Sequence, residues 1–135
     1  MPAVAVDTDV VSFLFKSDTR SELYRPHLTG KVLVISFMTL PELDRWAISK
    51  RWGLKRRGQM TAHLRQFVVM PYDRALCLRW AEACCSAERN GYVVETADAW
   101  IAATALLHDI PLVTNNPDDF RGIEGLTVLT AARAT

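Results

Sequence analysis

Acidic residues in this 135-residue chain follow apolar runs, at the points where the strands of a parallel sheet would end. The first apolar run, residues 3–6 (AVAV), contains no alternating polar residue, which is typical of a strand buried on both faces. Asp7 comes directly after it. Open α/β sheets bind their ligands at the carboxyl ends of their strands. A carboxylate buried there has to be capped, paired or bound to a metal.

Further polar residues are predicted at the same edge of the sheet. One acid begins the helix after a second strand (32–35), and another begins the helix before a fourth strand (111–114). A polar loop follows the fourth strand. Strand ends and the starts of the helices that follow them share one edge of a parallel sheet, and the helix before the fourth strand contributes only if it begins on that side. The expected group is Asp7, Glu42, Asp98, Asn116, Asp118 and Asp119.

Such a group of carboxylates predicts a site for a hard divalent cation. Acids in one cleft repel each other and raise each other's pKa values, and a bound cation relieves that repulsion. Mg²⁺ prefers oxygen ligands and keeps waters and substrate phosphates in its shell. A bound metal lowers the pKa of water and stabilises charge on a phosphodiester. No histidine lies near these positions and the three cysteines are elsewhere, so zinc is not expected.

Each of these acids also has a purely structural interpretation. Asp7 or Asp9 could cap the first helix, which is predicted to run to about residue 16. Residues 39–42 (TLPE) have the capping-box form, in which Glu42 would bond the start of its own helix. Asp98 near a helix start is favoured by the helix dipole. What favours the metal site is the convergence of all of them on one edge.

A basic stretch is the second feature that points to function. From Arg45 to Tyr72 there are seven Lys or Arg residues, His63 and no acid, with Trp46 and Trp52 interleaved. Such a patch suits a phosphate backbone, with aromatic rings available for stacking on unpaired bases. The alternative is a solvated helix end followed by a turn. The candidate nucleic-acid-binding residues are Lys50, Arg51, Lys55, Arg56 and Arg57.

The order of the predicted elements favours one α/β domain over residues 1–135. Strands alternating with helices or helix pairs indicate a three-layer α/β/α sandwich with a mostly parallel sheet of four to five strands. A helix is expected from about residue 40 to 52, then a basic connection (54–58) and another helix (59–65). The first helix is apolar on nearly every side, which favours a homodimer.

The composition indicates the cellular compartment in which the protein is expected. The formal net charge is +1, so global charge says nothing about partners. No apolar run approaches the roughly 20 residues needed to span a bilayer, and the N-terminus lacks the basic region of a signal peptide. Three cysteines without C-x-x-C spacing are expected to stay reduced. We therefore expect a cytoplasmic protein that does not contact membranes.

Four segments of the sequence resemble the motifs of PIN-domain ribonucleases. Residues 6–12 (VDTDVVS) resemble the family's D-T-N/D opening, and residues 39–43 (TLPEL) match the segment of its second acid. Residues 98–105 (DAWIAATA) match its D-x-x-I-A-A-x-A helix, and residues 112–120 (LVTNNPDDF) are similar to its L-V-T-x-N/D-x-x-D-F segment. The motifs keep the family's order and span nearly the whole chain. The chain length resembles that of VapC toxins from bacterial toxin–antitoxin operons.

The resemblance implies an endoribonuclease that depends on Mg²⁺ or Mn²⁺. Such a toxin acts on RNA, is usually a homodimer, and is held inactive by a small VapB-like antitoxin protein. By position, Asp7, Glu42 and Asp98 would be the catalytic acids and the metal ligands.

The resemblance also assigns two threonines and leaves one ligand open. Thr8 and Thr114 would orient the carboxylates by hydrogen bonds. The fourth acid of the family falls at Asn116, and this neutral amide weakens any second metal site, so one tightly held ion is expected. Asp119 could substitute for the missing acid.

Two other functions fit parts of the pattern. Asp7 and Asp9 also form the D-x-D opening of haloacid-dehalogenase-like phosphatases, where the first would be a nucleophile and the second an acid. That fold needs a lysine near a later strand end, and none closely follows Val113 or Val69. The third reading is a non-catalytic RNA- or protein-binding dimer with a PIN-like fold.

Overall fold

The fold is built on one parallel sheet. The computed structural model of the chain describes residues 2–132, so part of the predicted domain range 1–135 (Met1 and residues 133–135) lies outside the described residues. Five strands lie in the order β3-β2-β1-β4-β5, and all neighbouring pairs are parallel. They are β1 (Ala3–Val6), β2 (Val32–Ser36), β3 (Val68–Met70), β4 (Leu112–Val113) and β5 (Val128–Leu129). The predicted α/β class and parallel sheet are confirmed.

Helices cover both faces of this sheet. They are α1 (Thr8–Lys16), α2 (Arg20–Leu28), α3 (Thr39–Ser49), α4 (Leu54–Leu64), α5 (Arg74–Arg89) and α6 (Thr96–Leu107). Successive side chains of β1 point to opposite faces of the sheet. Val4 and Val6 therefore join one core cluster with α1, α2, α3 and α4, whereas Ala5 joins a second cluster with α5 and α6. The central strand is thus buried on both faces, as its apolar run predicts.

The first helix is covered by its own chain. Val10 and Val11 are 0% exposed and Phe13 is 5% exposed, because α1 lies among the sheet, α2, α3 and α4. His63 of α4 reaches the carbonyl oxygen of Val11 at 3.2 Å through its Nε2 atom. The apolar surface of α1 is therefore accounted for within one chain. Burial of α1 within one chain therefore removes the reason for expecting a homodimer from this helix, and the homodimer stays a prediction.

The helices of the basic stretch begin and end at other residues than predicted. The third helix ends at Ser49, because Arg51 adopts a left-handed φ of 55° and the amide of Trp52 bonds back to the carbonyl of Ala47 at 3.0 Å. The predicted connection over 54–58 is wrong, since these residues form the first turns of α4. Packing explains the difference: the Arg56 guanidinium lies 4.8 Å from the ring centroid of Trp52.

Candidate active site

Asp7 caps a helix and faces the sheet edge with the same carboxylate. It is the N-cap residue of α1, and its Oδ1 accepts a hydrogen bond from the amide of Thr8 at 2.8 Å. Its Oδ2 accepts from the hydroxyl of Thr114, just after β4, at 2.7 Å. Burial and then the charge of Asp9 raise the pKa of Asp7, while the two hydrogen bonds act in the opposite direction. A helix cap alone does not require a second donor from another strand end.

Glu42 points toward α1 and does not close a capping box. Its Oε1 accepts a hydrogen bond from the Thr8 hydroxyl at 2.7 Å, and that hydroxyl lies 3.0 Å from the hydroxyl of Thr39. The N-cap residue of α3 is Met38, which makes no side-chain cap; the hydroxyl of Ser36 accepts from the Met38 amide at 3.0 Å. The capping-box interpretation was therefore wrong, and the Glu42 carboxylate is left on the Asp7 side of α3.

Asp98 lies at the same edge because aromatic packing fixes the start of α6. The Trp100 ring centroid lies 5.4 Å from that of Phe37, which directly follows β2, and 5.4 Å from that of Trp80 on α5. Trp80 also donates from Nε1 to the carbonyl oxygen of Thr96 at 3.2 Å. The condition left open by the sequence, that this helix must begin on the strand-end side, is met.

The charges around Asp98 identify its neighbours. Burial raises the pKa of this carboxyl group to about 7, and the charges of Asp119, Glu42, Glu95 and Asp9 add to the effect in that order. Among residues 2–132, none of these five acids forms an ion pair with a basic side chain. The negative charge of these acids is therefore not neutralised by Lys, Arg or His side chains of the described residues.

Asp9 also lies at this edge, although the sequence suggested it only as a helix cap or as the acid of a phosphatase-like D-x-D pair. Its Oδ1 accepts from the amide of Val10 at 2.7 Å, but its Oδ2 accepts from the amide of Asn115 at 3.0 Å and from Nδ2 of Asn116 at 2.9 Å. Burial raises its pKa and these hydrogen bonds counteract the rise. Asp9 thus fastens the loop after β4 to α1. The D-x-D spacing was the available signal, together with two amide side chains following the fourth strand.

The polar loop after β4 separates into different roles. Asp118 forms an exposed ion pair with Arg121 at 2.8 Å. Asn116 uses its amide nitrogen on Asp9. Asp119 raises the pKa of both Asp98 and Asp9 by its charge, and its own pKa is raised by partial burial and neighbouring acids. Of the two candidate extra ligands, Asp119 carries the charge that acts on the other acids. We call Asp7, Asp9, Glu42, Asp98 and Asp119 the acid cluster.

The donor set of the acid cluster fits a hard cation that keeps most of its own waters. Within the described part of the chain, no three His, Cys, Asp or Glu side chains are arranged as a ready-made cage around one ion. Mg²⁺ is usually held by one or two carboxylates, with waters and substrate phosphates completing its shell. The carboxylates at this sheet edge, which form no ion pair with a basic side chain within residues 2–132, are ligands of the right type. Asp7, Glu42 and Asp98 are the candidates to supply the one or two carboxylate ligands of such an ion.

The acid cluster lies outside a large surface cavity on another part of the molecule. A cavity of about 650 Å³ is lined by α5, α6 and the segment that includes Glu124, and none of the acid cluster takes part. A smaller groove of about 260 Å³ lies between α1 and α3 and opens on Asp9 and Glu42. Its far end is formed by Lys16 and Trp46. The smaller groove therefore borders the acid cluster through Asp9 and Glu42, whereas Asp7, Asp98 and Asp119 do not line it.

The chain is an α/β protein with a five-stranded parallel sheet covered by helices on both faces. Acids without a basic partner within residues 2–132 lie along the edge where the strands end. The PIN domain family profile matches residues 4–126. The chain belongs to the PIN domain family.

Individual relatives share about a quarter of their residues with the chain. It is 27% identical over 124 residues to Ribonuclease VapC1 of Haemophilus influenzae strain R2866, covering 90% of this chain and 92% of that protein. It is 26% identical over 121 residues to a tRNA(fMet)-specific endonuclease VapC of Shigella flexneri, with the same coverage of 90% and 92%. A toxin–antitoxin complex from Klebsiella pneumoniae contains a chain with 25% identity and a TM-score of 0.72, covering 98% of this chain and 100% of that one.

Proposed function

We propose that this protein is an endoribonuclease that hydrolyses RNA phosphodiester bonds with Mg²⁺ or Mn²⁺ as cofactor. The observation that carries the proposal is the convergence of Asp7, Glu42 and Asp98 from three separate segments, with the pKa of Asp98 raised to about 7. Carboxylates whose pKa values are raised by one another cluster at functional sites. Relatives of similar length are described as a ribonuclease and as an endonuclease.

Each residue of the site has a defined task in this proposal. Asp7, Glu42 and Asp98 would hold the ion, which supplies activation of water and stabilisation of charge on the phosphodiester. The hydroxyl of Thr114 keeps Asp7 in one orientation, and the hydroxyl of Thr8 does the same for Glu42. Asp98 carries a proton at acidic pH and releases it when the ion binds.

The surface beside the acid cluster supplies the charge that RNA requires. The seven Lys and Arg residues from Arg45 to Arg65 are exposed, and none of them pairs with an acid within residues 2–132. Five arginines elsewhere do form such pairs. Lys16, whose Nζ lies 5.4 Å from the ring centroid of Trp46, connects the groove at the acid cluster with this basic surface. Unpaired cations near a phosphodiesterase site favour a polyanionic substrate.

Not all parts of the basic stretch are equally free to bind RNA. The Trp46 and Trp52 rings are 4.7 Å apart, and both pack on Phe15. Arg56 lies over Phe15 and Trp52, and Arg57 donates from Nε to the carbonyl oxygen of Trp52 at 3.1 Å. These tryptophans therefore anchor α4, and their partly exposed rings leave only part of their surface for stacking on bases, which stays a prediction. The residues without such a packing role are Lys50, Arg51 and Lys55.

We predict that replacing Lys50 and Lys55 together by glutamine weakens RNA binding without changing the fold. In the cleavage-inactive Asp98→Asn background, the slope of log affinity against log salt should become less negative by roughly 0.7 for each lost phosphate contact with single-stranded RNA. The measurement is fluorescence anisotropy with a labelled RNA at several salt concentrations. The matched control replaces Arg79 and Arg89 of α5, which are paired with Glu82 and Glu124. Equal slopes in the two double variants would remove the basic surface from the proposal.

We propose further that the protein is a toxin, inhibited by a small antitoxin protein, and that it acts in the cytoplasm. A neighbouring structure of similar length is described as a toxin–antitoxin complex. None of the helices in residues 2–132 combines the length and hydropathy needed to cross a bilayer. Cys77, Cys84 and Cys85 are free thiols, as in proteins of reducing compartments. The homodimer remains a prediction without support from α1.

Cleavage of a labelled RNA, with and without divalent metal, tests the proposed activity. We expect internal cuts with Mg²⁺ or Mn²⁺, no cuts with excess EDTA, and no cuts with Asp7→Asn. A phosphate ester such as p-nitrophenyl phosphate serves as the alternative substrate and should not turn over. RNA binding without any metal-dependent cutting would instead favour a non-catalytic binding protein, and turnover of the ester a phosphatase.

A further inference from the structure

A buried tyrosine lies behind the loop that closes the acid cluster. Tyr24 is 0% exposed and lies on the buried face of α2, together with Ser21 and Leu28. Its hydroxyl is 2.6 Å from Oδ1 of Asn115, the shortest of its contacts. The amide of Ala131, beyond β5, is 3.3 Å from the same hydroxyl. Since a phenol has one proton to give, Tyr24 donates to Asn115 and accepts from Ala131.

Asn115 connects this tyrosine to the acid cluster. Its side chain accepts from Tyr24, while its backbone amide donates to Oδ2 of Asp9. The residues on either side hold acids as well: Thr114 donates to Asp7, and Asn116 donates to Asp9. The three-residue segment 114–116 is therefore held from one side by carboxylates and from the other side by one phenol.

The hydrogen-bond partners on the two sides of this segment differ in charge and in burial. On one side, the partners of the segment are Asp7 and Asp9, two like-charged carboxylates that belong to the proposed metal site. The Tyr24 ring, in contrast, is fixed in the core: its centroid lies 6.3 Å from those of both Phe13 and His27. The phenol thus provides a support for the loop that does not change with the charge of the acid cluster.

We propose that Tyr24 is a positioning residue for the acid cluster, acting through the side chain of Asn115. This inference rests on the proposed metal-dependent function. The hydroxyl holds segment 114–116 so that the donors of Thr114 and Asn115 meet Asp7 and Asp9 before any cation binds. Groups that orient metal ligands in this way typically change metal affinity or activity by roughly 10- to 100-fold when they are removed.

Three variants and one matched control test the proposal. Tyr24→Phe keeps the packed ring and removes only the hydroxyl, Asn115→Ala removes its acceptor, and the double variant removes both. Ser86→Ala is the control, because Ser86 is a buried hydroxyl that bonds Ala83 and Glu124 on the opposite side of the sheet. The two measurements are the Mg²⁺ concentration that gives half of the maximal shift in melting temperature and, without metal, hydrogen exchange at the Asn115 amide.

For Tyr24→Phe we expect a rise of roughly 10-fold in that Mg²⁺ concentration and faster exchange at Asn115 than global unfolding explains. Asn115→Ala should give a similar rise, and the double variant no more than either single change. The control should lower the melting temperature without changing the Mg²⁺ dependence. Additive effects, or an unchanged Mg²⁺ dependence in Tyr24→Phe, would overturn the positioning role alone. If the wild type itself shows no Mg²⁺-dependent shift, the proposed function fails, and this inference with it.

Discussion

The variant Asp98→Asn is expected to lose RNA cleavage by roughly 1000-fold or more while its metal-free form melts at a higher temperature than the wild type. The loss of activity follows because a metal ion contributes several kcal/mol of transition-state stabilisation and each 1.36 kcal/mol is worth about a factor of ten. The gain in stability follows because burial disfavours the Asp98 carboxylate and Asp119, Glu42 and other acids repel it. An amide of the same size removes that repulsion.

The expected gain is about 1–2 kcal/mol at pH 8, less than the full pKa shift implies, because Asp98 is only half-buried and water screens part of the repulsion. Steady-state cleavage rates and thermal melts in EDTA measure the two effects. Asp118→Asn is the matched control, since Asp118 pairs outward with Arg121. It should retain activity and gain no stability. A metal-free Asp98→Asn protein that is less stable than wild type would contradict the account of repelling carboxylates.

Mg²⁺ binding is expected to weaken by about tenfold for each pH unit below about 7, because an ion can bind only after Asp98 releases its proton. The folding stability of the metal-free protein should change in the opposite direction and increase as the pH falls. The pKa of Asp98 is raised from 3.8 to about 7 on folding, so the folded chain binds this proton more tightly than the unfolded chain. The associated stability is present below about pH 4 and is lost as the pH rises through about 7.

Calorimetric titration of Mg²⁺ and metal-free melts between pH 5 and pH 8, about two units below and one above the pKa of Asp98, check both trends. His63 also titrates with a lowered pKa because it is partly buried, and it opposes the effect of Asp98 at acidic pH. The difference between wild type and Asp98→Asn cancels the contribution of His63, since both proteins contain it. A difference that does not vary with pH would show that Asp98 keeps an ordinary pKa.

The sheet and the positions of the acids could be predicted from local sequence patterns. An unbroken apolar run followed by an acid indicates a buried strand with a polar carboxyl end, and β1 followed by Asp7 fits that description. The helix that begins near Asp98, before the fourth strand, was also predicted, and α6 fits that prediction. For this helix, the sequence did not determine whether α6 begins at the strand-end side of the sheet. Packing between Trp100, Phe37 and Trp80 determines it.

The wrong predictions share one physical cause, which is that contacts distant in sequence outweighed local preferences. The capping box over 39–42 is absent because the Thr39 hydroxyl meets Thr8, 31 residues away. The start of α4 was missed because Arg56 packs on Phe15, a residue of α1. Asp9 was weighed as a helix cap because its partners, Asn115 and Asn116, lie more than 100 residues further along the chain.

The central claim is that carboxylates from distant parts of the chain hold one hard cation for phosphodiester hydrolysis. The most direct measurement is an anomalous difference map from crystals of the wild-type protein grown with Mn²⁺. The account predicts one strong peak within ligand distance of the oxygens of Asp7 and Asp98, and no peak there in Asp98→Asn. Manganese bound only outside the acid cluster, in crystals whose protein cleaves RNA in the presence of Mn²⁺, would contradict it.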